Sequence, residues 1–333
     1  MTDRQFCIHM ARVYLAQARV WRAADGVVRM MRAIDLFAGS GLFSRGAEDA
    51  GITIVWAGNH WKVATDCYAA NHSVVPACQD LHQQDWTQVP GHDLLIAAPA
   101  CTGHTPARGK DLPHHDADRA TAWAVVSALE CHRPALGVIE NVVAFTRWVL
   151  FPAWCHAVTA LGYAISPHRV DFADLDVPQN RERVIIVLSR SKHPLELRLP
   201  KLPHIPAANI VDFDAGNWSP IRKPGRSPNT IARIECGRRE HGERFIAPYY
   251  SNGSGLTGRS LDRPIGTIPT VDRWAVIDGD RMRMLSISEA RKAMTVPDDY
   301  VLPAKHADAM KLLGNAVPRV GAAHIFEALR KVA

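Results

Sequence analysis

Residues 94–105 read L-L-I-A-A-P-A-C-T-G-H-T. Four apolar residues, Leu94, Leu95, Ile96 and Ala97, have the length and composition of a short strand buried on both faces, the pattern of a parallel sheet covered by helices. Pro99 ends the strand and stiffens the loop after it, so Cys101 emerges at a fixed place on the carboxyl edge of the sheet. In open α/β sheets that edge is where ligands bind. A nucleophile is one reading of a cysteine placed there, and a buried core thiol is the other.

Upstream, residues 32–41 read R-A-I-D-L-F-A-G-S-G, a strand running into a glycine-rich turn and a helix over 42–50. Gly39 and Gly41 let backbone amides approach a ligand at the positive end of that helix, or simply make a tight turn. The spacing lacks the third glycine of the dinucleotide fingerprint, which favours a nucleoside ligand without a pyrophosphate. A second strand is expected over 52–57, then Asn59-His60-Trp61 and a helix to residue 71. A ribose-binding acid belongs at the end of such a strand, and this chain offers Asn59. Asp80 follows a short third strand as a candidate contact to a base edge.

Downstream, residues 116–131 have helical composition, with Asp116 as N-cap and a stop before Pro134. The apolar strand 136–139 ends in Glu140-Asn141. A carboxylate there is costly unless it is paired or used; capping the next helix is the alternative role for either residue. After a helix over 152–161 comes V-P-Q-N-R-E-R-V-I-I-V-L, residues 177–188. Arg181 and Arg183 alternate along an incoming strand, so both can aim at one site, or both can be surface arginines of an edge strand.

The 333 residues are enough for a full core and a second, smaller domain. A net charge of +6 allows a polyanionic partner without requiring one. Seven cysteines without a C-x-x-C pair argue against a zinc site or a disulfide framework and point to reduced thiols in the cytoplasm. No apolar run approaches the roughly 20 residues of a membrane span. Residues 1–29 suggest an amphipathic helix, with Ile8, Ala11, Tyr14, Leu15 and Ala18 near one face. The segment is either upstream translation before Met30-Met31 or a docked accessory helix. From about 191 prolines accumulate and periodicity fades, and Arg222, Lys223, Arg226, Arg233, Arg238, Arg239 and Arg244 form a basic segment. A small, loop-rich domain of β character is expected there, with regular structure returning near 270 as a helix over 288–294 and a last helix to residue 330.

Together these stretches resemble the cytosine C5 DNA methyltransferase family, from residue 31 to the end. D-L-F-A-G-S-G (35–41) is similar to the family's S-adenosylmethionine loop, P-A-C (99–101) to its P-P-C nucleophile loop, and E-N-V (140–142) to its E-N-V. Q-N-R-E-R (179–183) resembles Q-x-R-x-R, R-P-I-G-T (263–267) the R-P-x-x-T after the target-recognition region, and G-N-A-V-P (314–318) its G-N-x-V-P. The six matches stand in the family's order.

The resemblance implies an α/β fold: a doubly wound, mainly parallel sheet of the Rossmann-like methyltransferase kind, with a small β- and loop-rich target-recognition domain across a DNA cleft. Its divisions would be an N-terminal extension (1–30), a catalytic and cofactor-binding part (31–190), a target-recognition domain (191–270), and a return to the catalytic part (271–333) whose last helix packs beside the first strand. It implies methyl transfer from S-adenosylmethionine to C5 of a flipped-out cytosine in duplex DNA through a covalent Cys101 adduct. Glu140, protonated, would bond ring N3, Arg183 the base carbonyl, and Arg181 would support the loop. The cofactor would lie against Asp35, Phe37, Ala38, Gly39, Ser40, Gly41, Leu42, Asn59, His60, Asp80, Leu81, Pro99, Asn315, Ala316 and Val317. DNA would meet Gln179, the pair Thr230-Ile231 near the flipped base, and Arg233, Arg238 and Arg239 as guanine readers. No metal is implied. A monomer acting in the cytoplasm follows, encoded by a bacterium or phage and accompanied by a cognate restriction endonuclease or a prophage context.

Three departures stand out. Ala100 replaces the second proline before the cysteine, Asn59-His60 replace the usual acid and its neighbour, and residues 102–105 (T-G-H-T) replace a glutamine-containing continuation. An RNA (transfer RNA) cytosine C5 methyltransferase and a non-catalytic DNA-binding relative are the alternative readings.

Overall fold

Strand and helix alternate through the first half of the chain, and their strands assemble into one seven-stranded sheet. The computed structural model describes residues 21–22, 28–100, 120–249 and 258–333. After a short antiparallel pair, Trp21–Arg22 with Val28–Arg29, the order is β1 (Arg32–Leu36), α1 (Leu42–Asp49), β2 (Thr53–Asn59), α2 (Lys62–Ala69), β3 (Ala77–Cys78), β4 (Leu94–Ala97), α3 (Ala122–His132), β5 (Leu136–Asn141), α4 (Phe151–Ala160), β6 (Ala164–Asp171) and β7 (Glu182–Ser189). In space the order is β3-β2-β1-β4-β5-β7-β6. β7 alone runs antiparallel to its neighbours, so the mainly parallel, doubly wound sheet expected from the sequence is present.

The strands are buried because alternate residues feed two apolar layers. Ala33, Leu94, Ile96, Val138 and Ile185 face Phe43 and Ala47 of α1 together with the last helix. Ile34, Leu36, Leu95, Ile139 and Ile186 face Val125 and Leu129 of α3 and Trp154 of α4. A strand with both faces occupied reads as the unbroken apolar run seen at Leu94–Ala97.

A second sheet, antiparallel and four-stranded, is built from β8 (Ser219–Pro220), β9 (Arg244–Pro248), β10 (Trp274–Asp278) and β11 (Arg281–Met284), in the order β8-β11-β10-β9. Its last strand ends at Met284, so the small sheet runs past the break expected near 270. The expected loop-rich segment also holds a 14-residue helix, α5 (Pro228–His241), which has Pro at its first turn and Gly242 after its last. These are the standard start and stop residues of a helix. It buries Ile234 against Phe245, Ile277 and Met282. Three helices close the chain: α6 (Ile287–Ala293), α7 (His306–Asn315) and α8 (Arg319–Val332). Phe326 of α8 lies 5.1 Å from Phe43 of α1, centroid to centroid, and a Cβ on Gly46 would sit 2.5 Å from Ala322.

The small sheet is pinned to the large one. Ile265 bridges Gln179, its N–H bonds the Pro178 carbonyl at 3.1 Å, and the Asn180 N–H bonds the Ile265 carbonyl at 2.8 Å. A Cβ on Gly266 would fall 2.2 Å from the Trp274 ring, and one on Gly314 would fall 2.3 Å from the Pro269 backbone. Both glycines are needed because chain passes directly against them. At the other end of the joint, Arg283 of β11 pairs with Glu289 of α6 at 2.6 Å, both side chains buried. Glu289 also closes a capping box with Ser286.

Candidate active site

Register across the parallel strands brings the chemical residues together. Leu36 of β1, Ala97 of β4 and Ile139 of β5 lie in line, so the loops that follow them leave the sheet at one edge. That edge flanks the point where strand order reverses, the usual crevice of such sheets. Antiparallel β7 enters there, with Val184 opposite Asn141 and Ile185 opposite Glu140.

Glu140 lies within β5, buried, and its Oε1 accepts from Arg183 Nε at 3.0 Å. Burying a lone carboxylate would be prohibitive, and the paired guanidinium makes it tolerable. The helix-cap alternative for Glu140 is not realised. The turn Val143–Arg147 is entered through Val142, whose N–H donates to Asn141 Oδ1 at 2.8 Å. Asn141 Nδ2 also donates to the Pro99 carbonyl at 3.1 Å, and the Ala100 N–H donates to Thr121 Oγ1 at 3.0 Å. The backbone leading into Cys101 is therefore held from two sides. Cys101 itself lies outside the described residues, as do residues 102–105, Asp116 and the apolar face Ile8–Ala18.

Arg181 neither shares an aim with Arg183 nor lies on the surface, the two alternatives read from the residues. It is fully buried, and its guanidinium donates to the carbonyls of Ile268 (3.3 Å), Gly314 (2.9 Å) and Ala316 (2.8 Å). β7 begins only at Glu182, so the alternation of a strand does not yet govern residue 181. Gln179 is likewise buried rather than open to nucleic acid. Its Nε2 donates to the Ala293 carbonyl at 3.0 Å and its Oε1 accepts from the Ile268 N–H at 2.8 Å. Both residues brace the joint between the sheets.

At the glycine loop, Gly39 and Gly41 have φ of 57° and 88°, and Phe37 shares the left-handed region at 59°. A Cβ on Gly41 would lie 2.4 Å from His72 Nε2. Beneath the loop Asp35 is wholly buried; its Oδ2 accepts from Ser44 Oγ at 2.7 Å, and Tyr68 Oη donates to Ser44 Oγ at 2.9 Å. Burial pushes the Asp35 carboxyl up to about 7. Asp35 Oδ1 and Ser40 Oγ are buried without a hydrogen-bond partner among the described residues. Orphaned polar atoms beside bare glycine backbone suit a compact polar ligand that would complete them.

The remaining candidate cofactor residues ring this edge unevenly. Asn59 is buried with Oδ1 accepting from the Trp61 N–H at 2.9 Å, while His60 and Asp80 are exposed. Asp80 Oδ1 accepts from the His82 N–H at 3.0 Å. Leu42, Leu81 and Val317 are core side chains, Ala38 and Pro99 are also buried, and Asn315 is exposed beside half-buried Ala316. Two residues that no local pattern marked, His72 and Tyr300, reach the loop from behind: Tyr300 Oη donates to the Ser40 carbonyl.

On the small domain, Thr230 and Ile231 occupy the first turn of α5. Arg238, expected as a base reader, is committed to Glu243 (3.2 Å), Asp280 (3.1 Å) and Glu235 (3.6 Å). Arg233 donates to the Pro248 carbonyl at 2.9 Å. Arg239 is exposed, its guanidinium 3.0 Å from Cys236 Sγ.

Comparison with known proteins agrees with this geometry. A family model described as C-5 cytosine-specific DNA methylase matches residues 31–234 and 227–331. The chain is 24% identical over 307 residues to the Type II methyltransferase M.NgoBI of Neisseria gonorrhoeae, covering 91% of this chain and 93% of the relative. It is 25% identical over 308 residues to M.HhaI of Haemophilus parahaemolyticus, covering 86% and 90%. Among solved structures, a DNA modification methyltransferase encoded within a prophage (E. coli) superposes with a TM-score of 0.68 at 18% identity, covering 91% of this chain and 99% of that one. The Dnmt2 methyltransferase of S. pombe superposes with a TM-score of 0.61 at 13% identity, covering 91% and 98%.

Proposed function

Because the chain belongs to the family of C-5 cytosine-specific DNA methylases, we propose that Cys101, Glu140 and Arg183 carry out its reaction on a cytosine turned out of duplex DNA, with S-adenosylmethionine as methyl donor. The observation that carries this assignment is the buried Glu140–Arg183 pair at 3.0 Å, set on the sheet edge beside the held backbone of Pro99 and Ala100.

Carbon 5 of cytosine is a weak nucleophile. The Cys101 thiolate adds to carbon 6, which places electron density on carbon 5 and charge at N3 and the carbonyl oxygen. Arg183 fixes one oxygen of Glu140, so the other is presented to ring N3, where a proton held on the carboxyl stabilises the developing charge. Arg183 then also faces the base carbonyl. Loss of the carbon 5 proton expels Cys101 and restores the ring. S-adenosylmethionine supplies an electrophilic methyl group when bound. Asp35 and the 37–41 loop would hold it, Asp35 Oδ1 and Ser40 Oγ gaining partners. Asp80 and Asn59 stand at the strand ends where the base and ribose belong. Arg181 and Gln179 act at one remove by holding the 268 and 314–316 segments.

The same reading extends to duplex DNA read across the 191–284 region, action as a monomer in the cytoplasm, and a companion restriction endonuclease or prophage setting. No helix among the described residues is long and apolar enough to cross a membrane.

The test is covalent trapping on DNA carrying 5-fluorocytosine, whose carbon 5 cannot lose a proton. Wild-type protein should form an adduct that survives denaturation, and Cys101→Ala should form none while still binding DNA. Methyl transfer by the alanine variant would overturn the assignment. Bisulfite sequencing of DNA from expressing cells would give the site.

A further inference from the structure

The glycine loop is held from behind by a hydrogen-bonded chain that can be counted proton by proton. The Ser40 carbonyl can only accept, and it accepts from Tyr300 Oη. A phenol has one proton, so Tyr300 has none left to give. His72 Nε2 lies 2.9 Å from the same Tyr300 oxygen and must therefore be the donor in that contact. Its other nitrogen, Nδ1, lies 3.2 Å from a Glu48 carboxylate oxygen. With Nε2 protonated, Nδ1 bonds Glu48 only if one more proton is present, on Nδ1 or on the carboxyl. The His72 side chain is 1% exposed, so water does not replace either partner. Without that extra proton, Nδ1–H turns to the carboxylate, Nε2 becomes an acceptor, and Tyr300 must choose between His72 and Ser40.

Among the described residues, the surroundings leave His72 no other outlet. Tyr68 of α2 stacks on its ring with centroids 4.2 Å apart, and its hydroxyl is already directed to Ser44 and through it to Asp35. From α1, Arg45 lies 3.9 Å from Glu48. On the far side are Tyr300 and, bonded to the Val301 carbonyl, Cys67. The imidazole also packs where a Cβ on Gly41 would fall.

We propose that His72 and Tyr300 are positioning residues for the cofactor loop, and that one proton shared by His72 and Glu48 decides whether Tyr300 holds the Ser40 carbonyl. The inference rests on the reading of residues 37–41 as the S-adenosylmethionine loop. Raising the pH removes the proton, frees the loop and weakens the cofactor. Asp35 acts with the opposite sign, because its ionisation favours a cationic ligand, so the two are separable by direction.

The experiment is calorimetric titration of the full chain with S-adenosylmethionine from about pH 5.5 to about 9, on wild type, Glu48→Gln, Tyr300→Phe and His72→Phe, with melting curves for each. The amide introduced by Glu48→Gln can donate to Nδ1, which lets neutral His72 keep its Nε2 proton at every pH. Relative to Glu48→Gln, wild type should lose affinity with rising pH, by up to about tenfold per unit across the transition, the limit for one linked proton. Tyr300→Phe should bind about tenfold more weakly at low pH, the scale of one lost hydrogen bond, and should not show the loss. His72→Phe takes away the competing acceptor, so Tyr300 should keep the Ser40 carbonyl at every pH and the profile should run parallel to that of Glu48→Gln. Parallel profiles for wild type and Glu48→Gln would overturn the proposal, as would full affinity in Tyr300→Phe. Absence of any S-adenosylmethionine binding by folded wild type would instead overturn the cofactor reading.

Discussion

Asp35 sits out of water with a hydrogen-bond partner on one oxygen and, among the described residues, none on the other; burial pushes its carboxyl up to about 7. A carboxyl raised in the folded state binds its proton more tightly there than in the unfolded chain. Its contribution to stability is complete below about 4, the unfolded value, and is lost as pH rises through about 7. Ligand-free protein should therefore melt at lower temperature at pH 8 than at pH 6. Asp35→Asn should remove that decline, worth on the order of 1–2 kcal/mol between those two pH values, while weakening S-adenosylmethionine. Thermal melts at both pH values check it. At Glu140, exchange to Gln should raise the barrier by about 2–4 kcal/mol, read as a fall in kcat with little change in cofactor affinity. Unchanged turnover would leave Glu140 as a structural partner of Arg183. Glu140 was legible because a carboxylate ending an apolar run has few innocent roles. The state of Asp35 was not, since it depends on Ser44, Tyr68 and Glu48 supplied by two neighbouring helices. Tyr300 was less so still, being 260 positions from the carbonyl that it holds.

The elements were legible where periodicity was strong. Leu94–Ala97 and the first four residues of Leu136–Asn141 announced themselves by apolar runs that a sheet with two covered faces requires. Helix α5 did not, because it buries only Ile234 and Gly237 and leaves the rest of its residues half-buried or exposed; its Pro228 and Gly242 were the signals available. That the direction of Arg181 and the burial of Gln179 were not legible has a physical cause. Both belong to an irregular turn held by Asp171, whose carboxylate takes the Arg181 N–H at 2.8 Å and Asn180 Nδ2 at 2.9 Å. Side-chain direction in such a turn follows hydrogen bonds rather than strand alternation. Arg181→Lys should show what the fork supplies: one ammonium cannot span carbonyls on residues 268, 314 and 316 as a planar guanidinium does. A loss of about 2–4 kcal/mol is expected, measured by urea denaturation. Unchanged stability would mean that the Ile265 backbone bonds, Gln179 and the glycine contacts hold the joint without the guanidinium.

Across the whole molecule the basic charge is divided between internal and external work. Arg238 is answered by three carboxylates, whereas Arg239 of the same helix stands exposed. Arg239→Ala should weaken DNA binding at every sequence and flatten the salt slope by about 0.9 for a lost phosphate contact, or relax one position of the site if it reads a base. Arg238→Ala should lower stability and leave the slope alone. Binding measured across salt concentrations, with site preference in parallel, separates these outcomes. The packing of α8 on α1, Phe326 against Phe43 and Ala322 against Gly46, also governs how the chain is made. The first helix of the sheet is covered by a segment that is synthesised about 270 residues later (319 against 49). At about 5–20 residues per second, that face waits for roughly 15–60 s of synthesis. During that interval the nascent chain offers an apolar surface to any holdase in reach, and premature termination anywhere before residue 319 leaves a product that cannot close its own core.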